Sequence, residues 1–539
     1  MSAESSRASS PALSGKSSGT KRAGSSPGKS RKADASSGGK VKRRKKRALT
    51  DLTLPPKKGT YQSFTPPVMV RSGSASRSTT ACESDGYVPP RRAKTERVTW
   101  AVEDGNVGDE LLSSEFVVRQ LVEQGRYKTL FKNPNDPNDL SYDLSSLPTV
   151  ELEYPMTGAK ELFLLARPKD IDHYDPTLDI ENTLRTFVKD FVPPEHRYLF
   201  GPFPEDALHS ISIPSTLTTI SSDTDYATPP PFTSPSRGSP ASRSLMKTLI
   251  RARHRKDGPT FTQSLKEINK CILELKEDSS GENILRKVPY TWSSSGIPQG
   301  VVLRIIEEAY QRCIGPKMGL LRKYEAFSSN VYGELTPAFV TDIIERTGLN
   351  SESLLIDLGS GVGNVVLQAA LETGCTAFGI EEREDTAKIA DEHHEQVKLR
   401  CRMWGVNIGK VELCQGDMTA SPRVDELMGK ADVVLVNNYV FSEELNASLR
   451  PKFLDLKEGA TVVSLKPFAP PGNQMLTERN FDDLSAIFDV FACPYRSGTV
   501  SWSGGSGMYY IHHVNREGYR KNREAFESLR RGERRRGRR

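Results

Sequence analysis

The sequence predicts an α/β domain built on a doubly wound, mainly parallel sheet with helices on both faces. Three observations predict it. From about residue 336 to 515, apolar strand-like runs alternate with helix-periodic runs, the first strand ends in a glycine loop that opens a helix, and acids stand at successive strand ends. Thr336 and Pro337 read as N-cap and first-turn proline of the helix AFVTDIIERTG. SLLIDLGSG is a continuous apolar strand entering the glycine loop, followed by helical NVVLQAALETG and the strand TAFGIEE. A long helix over about Arg383 to Trp404, the strands VELCQGD and ADVVLVNN, the helix EELNASLRPKFLDLKEG and the strand ATVVSLKPF continue the alternation. TVSWS and GMYYIHHV, joined by a glycine-rich turn, read as a closing hairpin.

Ahead of this core the texture differs. ELEYPM and ELFLLARP have the look of short strands, and Asp179 to Phe191 places Ile180, Leu184, Phe187, Val188 and Phe191 on one helical face. Residues 205–258 are rich in Ser, Thr and Pro and read as a flexible insertion. The expected division is a disordered basic tail over 1–145, an N-terminal half of the folded domain over 146–330 interrupted by that insertion, a ligand-binding core over 331–515, and a basic C-terminal tail over 516–539. The N-terminal half is expected to be a smaller, mostly helical subdomain.

The formal net charge of +7 on 539 residues conceals a partition. Residues 1–50 carry 14 Lys/Arg against 2 acids and residues 516–539 carry 11 against 4, so the body between them is net acidic. The block Lys40 to Arg47 (KVKRRKKR) has the size of a nuclear localisation signal or a nucleic-acid patch, its plain alternative being a solvated charge run. Seven cysteines without a C-x-x-C pair fit neither a disulfide framework nor a zinc cluster, so no metal site and a reducing compartment are expected. No apolar run approaches the roughly 18 residues of a membrane span, and the N-terminal residues lack the apolar stretch of a secretion signal. A soluble intracellular protein without a membrane partner is the expectation.

In a doubly wound sheet ligands bind outside the carboxyl ends of the strands. The first strand closes with Asp357, Leu358, Gly359, Ser360, Gly361, Val362, Gly363 and Asn364. A glycine loop alone is weak evidence, because dinucleotide enzymes use a similar one. Asp357 shifts the balance: a carboxylate beside the loop repels a pyrophosphate but suits hydroxyls, an ammonium and a sulfonium, the groups of S-adenosylmethionine. Glu381 closes the second strand, where an acid accepts hydrogen bonds from two ribose hydroxyls, although nicotinamide dinucleotide sites place one there too. Asp417 and Met418 close the third, an acceptor for an adenine amino group beside an apolar cover. Each acid alone could be a helix cap; three in succession behind a glycine loop favour S-adenosylmethionine.

The fourth strand closes with Asn437-Asn438-Tyr439-Val440-Phe441. Methyl transfer is an in-line displacement at carbon, so the protein must chiefly position the acceptor lone pair and exclude water. Asparagine oxygens can aim an amine N–H, and aromatic walls attract a methylammonium. Tyr439, Phe441, Trp502, Tyr509 and Tyr510 are the candidate walls, with core packing the plain alternative for about half of them. No His or Cys stands at a strand end as a base or nucleophile, and His393-His394 and His512-His513 receive no role.

The segments VYGELTP (Val331 to Pro337), IDLGSGVGNVVLQAA, GIEERED, QGDM, VNNYVFSEELN, SLKPFAP and SWSGGSGMYY, in this order, resemble the disruptor-of-telomeric-silencing enzymes, the non-SET histone-H3 lysine-79 N-methyltransferases. The resemblance covers about residues 285–515 strongly and 146–204 more loosely, in the arrangement of fungal members. It implies a class I, Rossmann-like methyltransferase fold and methyl transfer from S-adenosylmethionine to a nucleosomal lysine, in the nucleus and in telomeric silencing. It further implies that Tyr332, Gly333, Glu334 and Leu335 form a loop over the cofactor, completed by Leu355, Ile356, Asp357, Leu358, Gly359, Ser360, Gly361, Val362, Gly363, Asn364, Glu381, Asp417 and Met418. Asn437 would sit beside the transferred methyl, with Tyr509 and Trp502 lining the lysine channel. The expected partner is the nucleosome, through histone H3 and through DNA contacts of Lys40 to Arg47 and the Arg-rich C-terminal tail, with the enzyme a monomer. Two other readings stay open on the residues alone: a nucleic-acid amino-methyltransferase, against which N-N-Y lacks the rigidity of an N-P-P-Y motif, and a non-catalytic chromatin-binding module, against which the intact acids and Asn437 argue.

Overall fold

The computed structural model describes residues 97–100, 104–133, 136, 147–170, 173–201, 244–277, 281–321, 333–471, 483–501, 503 and 505–536. Lys40 to Arg47, Tyr332, Trp502 and most of the Ser/Thr/Pro insertion lie outside the described residues.

The C-terminal half is a seven-stranded sheet. In chain order its strands are β5 (Leu354–Leu358), β6 (Thr376–Glu381), β7 (Val411–Gln415), β8 (Val433–Val436), β9 (Thr461–Ser464), β10 (Phe488–Tyr495) and β11 (Gly507–Val514), numbered after four short strands of the N-terminal half. The spatial order is β10-β11-β9-β8-β5-β6-β7, parallel from β7 through β9 and antiparallel beyond it. β5 is therefore the switch point between chain progressing to β6 and chain returning to β8, which is where such sheets open a binding crevice. β8 and β9 are buried along their whole length because helices cover both faces, and their Val-rich sequences follow from that burial.

The N-terminal half holds α1 (Ser114–Glu123), β1 (Tyr127–Thr129), the antiparallel hairpin β2 (Thr149–Glu153) and β3 (Lys160–Leu164), and β4 (Ala166–Pro168), which pairs with β1. Four helices follow: α2 (Pro176–Thr186), α3 (Leu245–Arg255), α4 (Gly258–Lys276) and α5 (Gln299–Cys313). In the sheet half come α6 (Pro337–Thr347), α7 (Asn364–Thr373), α8 (Glu384–Trp404), α9 (Pro422–Met428) and α10 (Glu443–Leu449), and α11 (Arg516–Arg536) ends the order. The expected face of Ile180, Leu184, Phe187, Val188 and Phe191 is buried, over α2 and a π-helical turn at Phe187–Phe191.

Four boundaries differ from the sequence expectation. Residues 104–133 belong to the fold rather than to a tail: Ser113 caps α1 by accepting from Phe116 N, and Val117, Val118, Leu121 and Tyr127 are buried together. The last part of the supposed insertion is α3, whose Met246, Leu249, Ile250 and Ala252 are buried while Arg251, Arg253 and Arg255 give it the composition of a linker. The C-terminal basic run is helical through α11, carrying i,i+4 pairs Lys521–Glu517 at 2.8 Å and Arg523–Glu527 at 3.2 Å among strong helix formers. Finally, GMYYIHHV pairs not with TVSWS but with β10, while Val500 makes isolated bridges to Leu335 and Ser503.

The two halves meet through α5 and α8, whose Ile305, Ala309, Val397 and Trp404 share one apolar cluster in which an ion network is embedded. Arg304, Arg312 and Arg400 are buried against Glu161, Asp179 and Glu308. Arg312 Nε donates to Glu161 Oε1 at 3.1 Å, Arg312 pairs with Asp179 at 2.6 Å, Arg304 donates to Asp179 at 2.6 Å, and Arg400 donates to both oxygens of Glu161. Glu308 accepts from Thr183 Oγ1 at 2.9 Å and Trp404 Nε1 at 3.0 Å. Burial pushes the Glu161 carboxyl up, but the guanidiniums of Arg312 and Arg400 overcome this and bring it to about 2.

Candidate functional site at the carboxyl ends of the strands

The glycine loop between β5 and α7 is shaped by backbone conformation. Gly359, Gly361 and Gly363 have φ of +87°, +56° and +79°, a region in which side chains are strained. Gly359 N and Ser360 N both donate to Ile380 O at 2.9 Å, which clips the loop to the end of β6. This docking requires Gly379: a Cβ there would lie 2.8 Å from Ser360 Oγ and 2.9 Å from Val366 Cγ2. Leu355, Ile356 and Leu358 are buried in the two cores that flank the sheet, so only their backbone bounds the crevice. Val362 is buried behind the loop, and the half-buried Asn364 opens α7 with its Oδ1 lacking a hydrogen-bond partner.

Two carboxylates meet at this loop. Asp357 is buried at the end of β5, and burial, with Glu381 as the second cause, pushes its carboxyl up to about 7. Glu381 is raised as well, chiefly by burial; its oxygens accept from Gly361 N and Arg383 N, both at 3.0 Å, which partly offsets the rise. Among the described residues, no cationic group figures among the causes acting on Asp357. A desolvated acid without a counter-charge is costly, and the cost is relieved by a ligand that brings positive charge. The orphaned Asn364 oxygen is a further acceptor at the helix opening. The fit is to a cationic ligand with hydrogen-bond donors, and it opposes a pyrophosphate.

The third strand end is open. Asp417 is exposed, its Oδ1 accepting from Thr419 N and Oγ1 at 2.7 Å each, and these bonds hold its carboxyl below the usual range. The neighbouring Met418 is half-buried against the cluster that contains Ile380 and Val424. Among the described residues no group of three or more His, Cys, Asp or Glu could hold a metal ion. Nor is any described helix long and apolar enough to cross a membrane.

At the fourth strand end the two asparagines separate. Asn438 is fully buried and fully used: its Nδ2 donates to Asn446 Oδ1 and Lys466 O, and its Oδ1 accepts from Leu465 N and Lys466 N, all within 3.0 Å. It ties the end of β8 to the chain leaving β9, so the expectation of two aiming amides reduces to one. Asn437 is half-buried, and its Nδ2 donates to Gly333 O at 3.1 Å, joining the strand end to the segment before α6. Tyr439 and Val440, which follow Asn438, are 47% and 40% exposed, apolar surface just after the strand end. The Phe441 ring stands over Gly359, its Cζ 3.7 Å from where a Cβ would be. Tyr509 is buried, its ring packed edge-on against Phe339 and its hydroxyl donating to Asp342 at 2.7 Å. In this conformation Tyr509 belongs to the packing under α6, and Tyr510 is half-buried on the opposite face of β11.

The loop after Tyr332 is held from three sides. Glu334 N donates to Ser501 Oγ at 2.8 Å, Ser501 N donates back to Glu334 O at 2.9 Å, and Leu335 is buried where it bridges Val500. The Glu334 side chain, also buried, accepts from Tyr310 OH. Ser501 and Tyr310 were not among the residues singled out from the sequence. Ser501 was visible only as the start of the SWSGGSGMYY segment, and Tyr310 sits in an amphipathic helix with no local signal of a site.

Comparison with known proteins agrees with this geometry. The family model for histone methylation protein DOT1 matches residues 310–514. A histone-lysine N-methyltransferase, H3 lysine-79 specific, of Emericella nidulans is 33% identical over 408 residues, covering 75% of this chain and 70% of that protein. Proteins of the same description from Mycosarcoma maydis and Chaetomium globosum are 32% identical over 69% of this chain and 60% of theirs, and 41% identical over 50% of each. The chain thus spans half to 70% of the length of these curated relatives. With strand-end acids and a glycine loop at the switch point of a doubly wound sheet, it has the class I methyltransferase fold and belongs to the histone H3 lysine-79 methyltransferase family.

Proposed function

We propose that this protein transfers methyl groups from S-adenosylmethionine to the side-chain amine of lysine 79 of histone H3 in nucleosomes. The observation that carries the reading is the pairing of a buried acid at the switch point, Asp357, which has no counter-charge among the described residues, with the half-buried amide of Asn437 at the neighbouring strand end. S-adenosylmethionine supplies the methyl group on a positively charged sulfur. Asp357 and Glu381 receive its cationic and hydroxyl groups, Asp417 and Met418 its base, and the Gly333 to Leu335 loop, continuing from Tyr332, covers it. Asn437, held by Gly333 O, accepts an N–H of the incoming lysine and aims the lone pair along the sulfur–methyl axis. Tyr439, Phe441 and Trp502 shield the approach from water, with Tyr509 fixing the wall behind. A lysine amine with an ordinary pKa of about 10.4 must lose its proton before attack, and an apolar channel beside a sulfonium favours the neutral form.

In this reading DNA is the handle rather than the substrate. Lys40 to Arg47 and the Arg-rich end of α11 bind phosphate and release counterions. Nuclear residence and a contribution to telomeric silencing follow from such a substrate, and a monomer suffices. The test is mass spectrometry of reconstituted nucleosomes incubated with the protein and S-adenosylmethionine. Methyl groups on H3 lysine 79 are expected. Label appearing in DNA, or on no histone residue, would refute the reading.

A further inference from the structure

The two loops that bound the cofactor crevice are held from behind by a pair of side chains given no role above. Tyr310, on α5, donates its hydroxyl between the two oxygens of Glu334, at 3.1 Å from Oε1 and 3.0 Å from Oε2. His393, on α8, lies against it edge-on, with ring centroids 6.3 Å apart and planes at 80°. The Nδ1 of His393 is 3.0 Å from the Val362 carbonyl of the glycine loop. A carbonyl only accepts, so Nδ1 carries the proton, and Nε2 is buried with no hydrogen-bond partner. Burial lowers the imidazole pKa to about 4, so the ring is neutral and this tautomer persists across the physiological range.

We propose that Tyr310 and His393 act as a positioning pair that sets the spacing of the two cofactor loops, one through Glu334 and the other through Val362. The inference rests on the functional reading above and adds two residues to it. Neither side chain belongs to a strand end. Both stand on the helices that the buried ion network locks together: Arg312, two residues after Tyr310, and Arg400, two turns after His393, share Glu161. The docking of the N-terminal half is thereby passed to the crevice as the position of one hydroxyl and one ring nitrogen. A displaced loop weakens every bond the crevice makes to its ligand, although the reacting groups themselves are unchanged.

The test uses the full chain, with S-adenosylhomocysteine as the binding probe and hydrogen exchange of the 333–336 and 359–363 amides as a readout that needs no ligand. Tyr310→Phe removes one hydroxyl; it is expected to weaken S-adenosylhomocysteine binding about 5-fold or more and to speed exchange in 333–336. His393→Asn keeps a donor near the Nδ1 position and is expected to bind within about 2-fold of wild type, whereas His393→Leu loses about 5-fold and speeds exchange in 359–363. On nucleosomes both damaging variants should raise the cofactor KM and keep kcat at saturating cofactor within about 2-fold. Unchanged loop exchange in folded Tyr310→Phe, or His393→Asn as impaired as His393→Leu, overturns the pair. Wild-type protein that binds the probe but leaves histone H3 unmodified overturns the proposed function instead, and the exchange arms still decide the positioning.

Discussion

The interiors of the two halves share an apolar base but differ in the charge they bury. The sheet half packs Ile, Val, Leu and Phe on both faces of its strands, with Asp357 the acid at its centre. Where α5 of the N-terminal half packs on α8 of the sheet half, the shared apolar cluster encloses three guanidiniums and three carboxylates. An apolar interior tolerates small changes of shape, because dispersion and burial are non-directional. An ionic one specifies position, because each charge needs its own partner at hydrogen-bond distance. The difference teaches where precision is used: the sheet makes a stable platform, and the charged seam decides how the helices bearing Tyr310 and His393 meet the crevice.

The largest expected effect breaks this contrast outright. Arg400→Leu leaves Glu161 with Arg312 as its one remaining guanidinium in the described residues and unbalances the buried network, which should cost about 3 kcal/mol of folding stability in denaturant titration, while Ile356→Val in the sheet core should cost only about 1 kcal/mol. Equal losses would remove the distinction between the halves.

Asp357, the exception inside the apolar half, gives the next effect. Its carboxyl lies at about 7 in the folded chain against an ordinary 3.8, so folding favours the protonated form. The contribution of Asp357 to the stability of the ligand-free protein is then fully present below about pH 4 and is lost as pH rises through 7. Asp357→Asn should exceed the wild type by about 2–4 kcal/mol at pH 8 and by little at pH 4, read from urea midpoints at both values. The same variant should bind S-adenosylmethionine more weakly. A wild-type affinity that failed to rise between pH 6 and 8 would count against a charge-compensating ligand.

The adjacent asparagines sharpen the comparison at a single strand end. Asn438→Ala leaves Leu465 N and Lys466 N without their acceptor and should cost about 1–3 kcal/mol in stability. Asn437→Ala should leave stability within about 0.5 kcal/mol and S-adenosylhomocysteine affinity within about 3-fold, yet lower turnover on nucleosomes about 10- to 100-fold. Turnover unchanged in Asn437→Ala would displace it from the acceptor side.

The smallest effect on the folded domain is expected from deleting residues 1–50. Thermal unfolding and S-adenosylhomocysteine binding should not move. Nucleosome affinity should weaken and lose about 5 units of log–log salt slope if six of its 14 basic residues reach phosphate. A slope unaltered by the deletion would remove DNA as the handle.

Much of this was legible in the chain. The alternation of strands and helices from Thr336 onward, the glycine loop, and the acids Asp357, Glu381 and Asp417 at strand ends are local patterns, written in periodicity and in residues with few conformational alternatives. The α3 helix was not, because its arginines resemble a linker and only packing against α4 reveals its apolar face. Nor was the pairing of β11 with β10 rather than with the nearer TVSWS segment, since register is chosen by which face is buried.

The sequence by itself determined the layer architecture, the location of the crevice and the chemical sort of ligand it suits. Tertiary structure decided which of two neighbouring asparagines is fully bonded, which of the described aromatics are exposed and which are core, and that Tyr310 and His393 stand behind Glu334 and the glycine loop. The reason is physical. Periodicity records which face of an element is buried, whereas a hydrogen bond between residues 24 or 31 positions apart records only how the buried faces met.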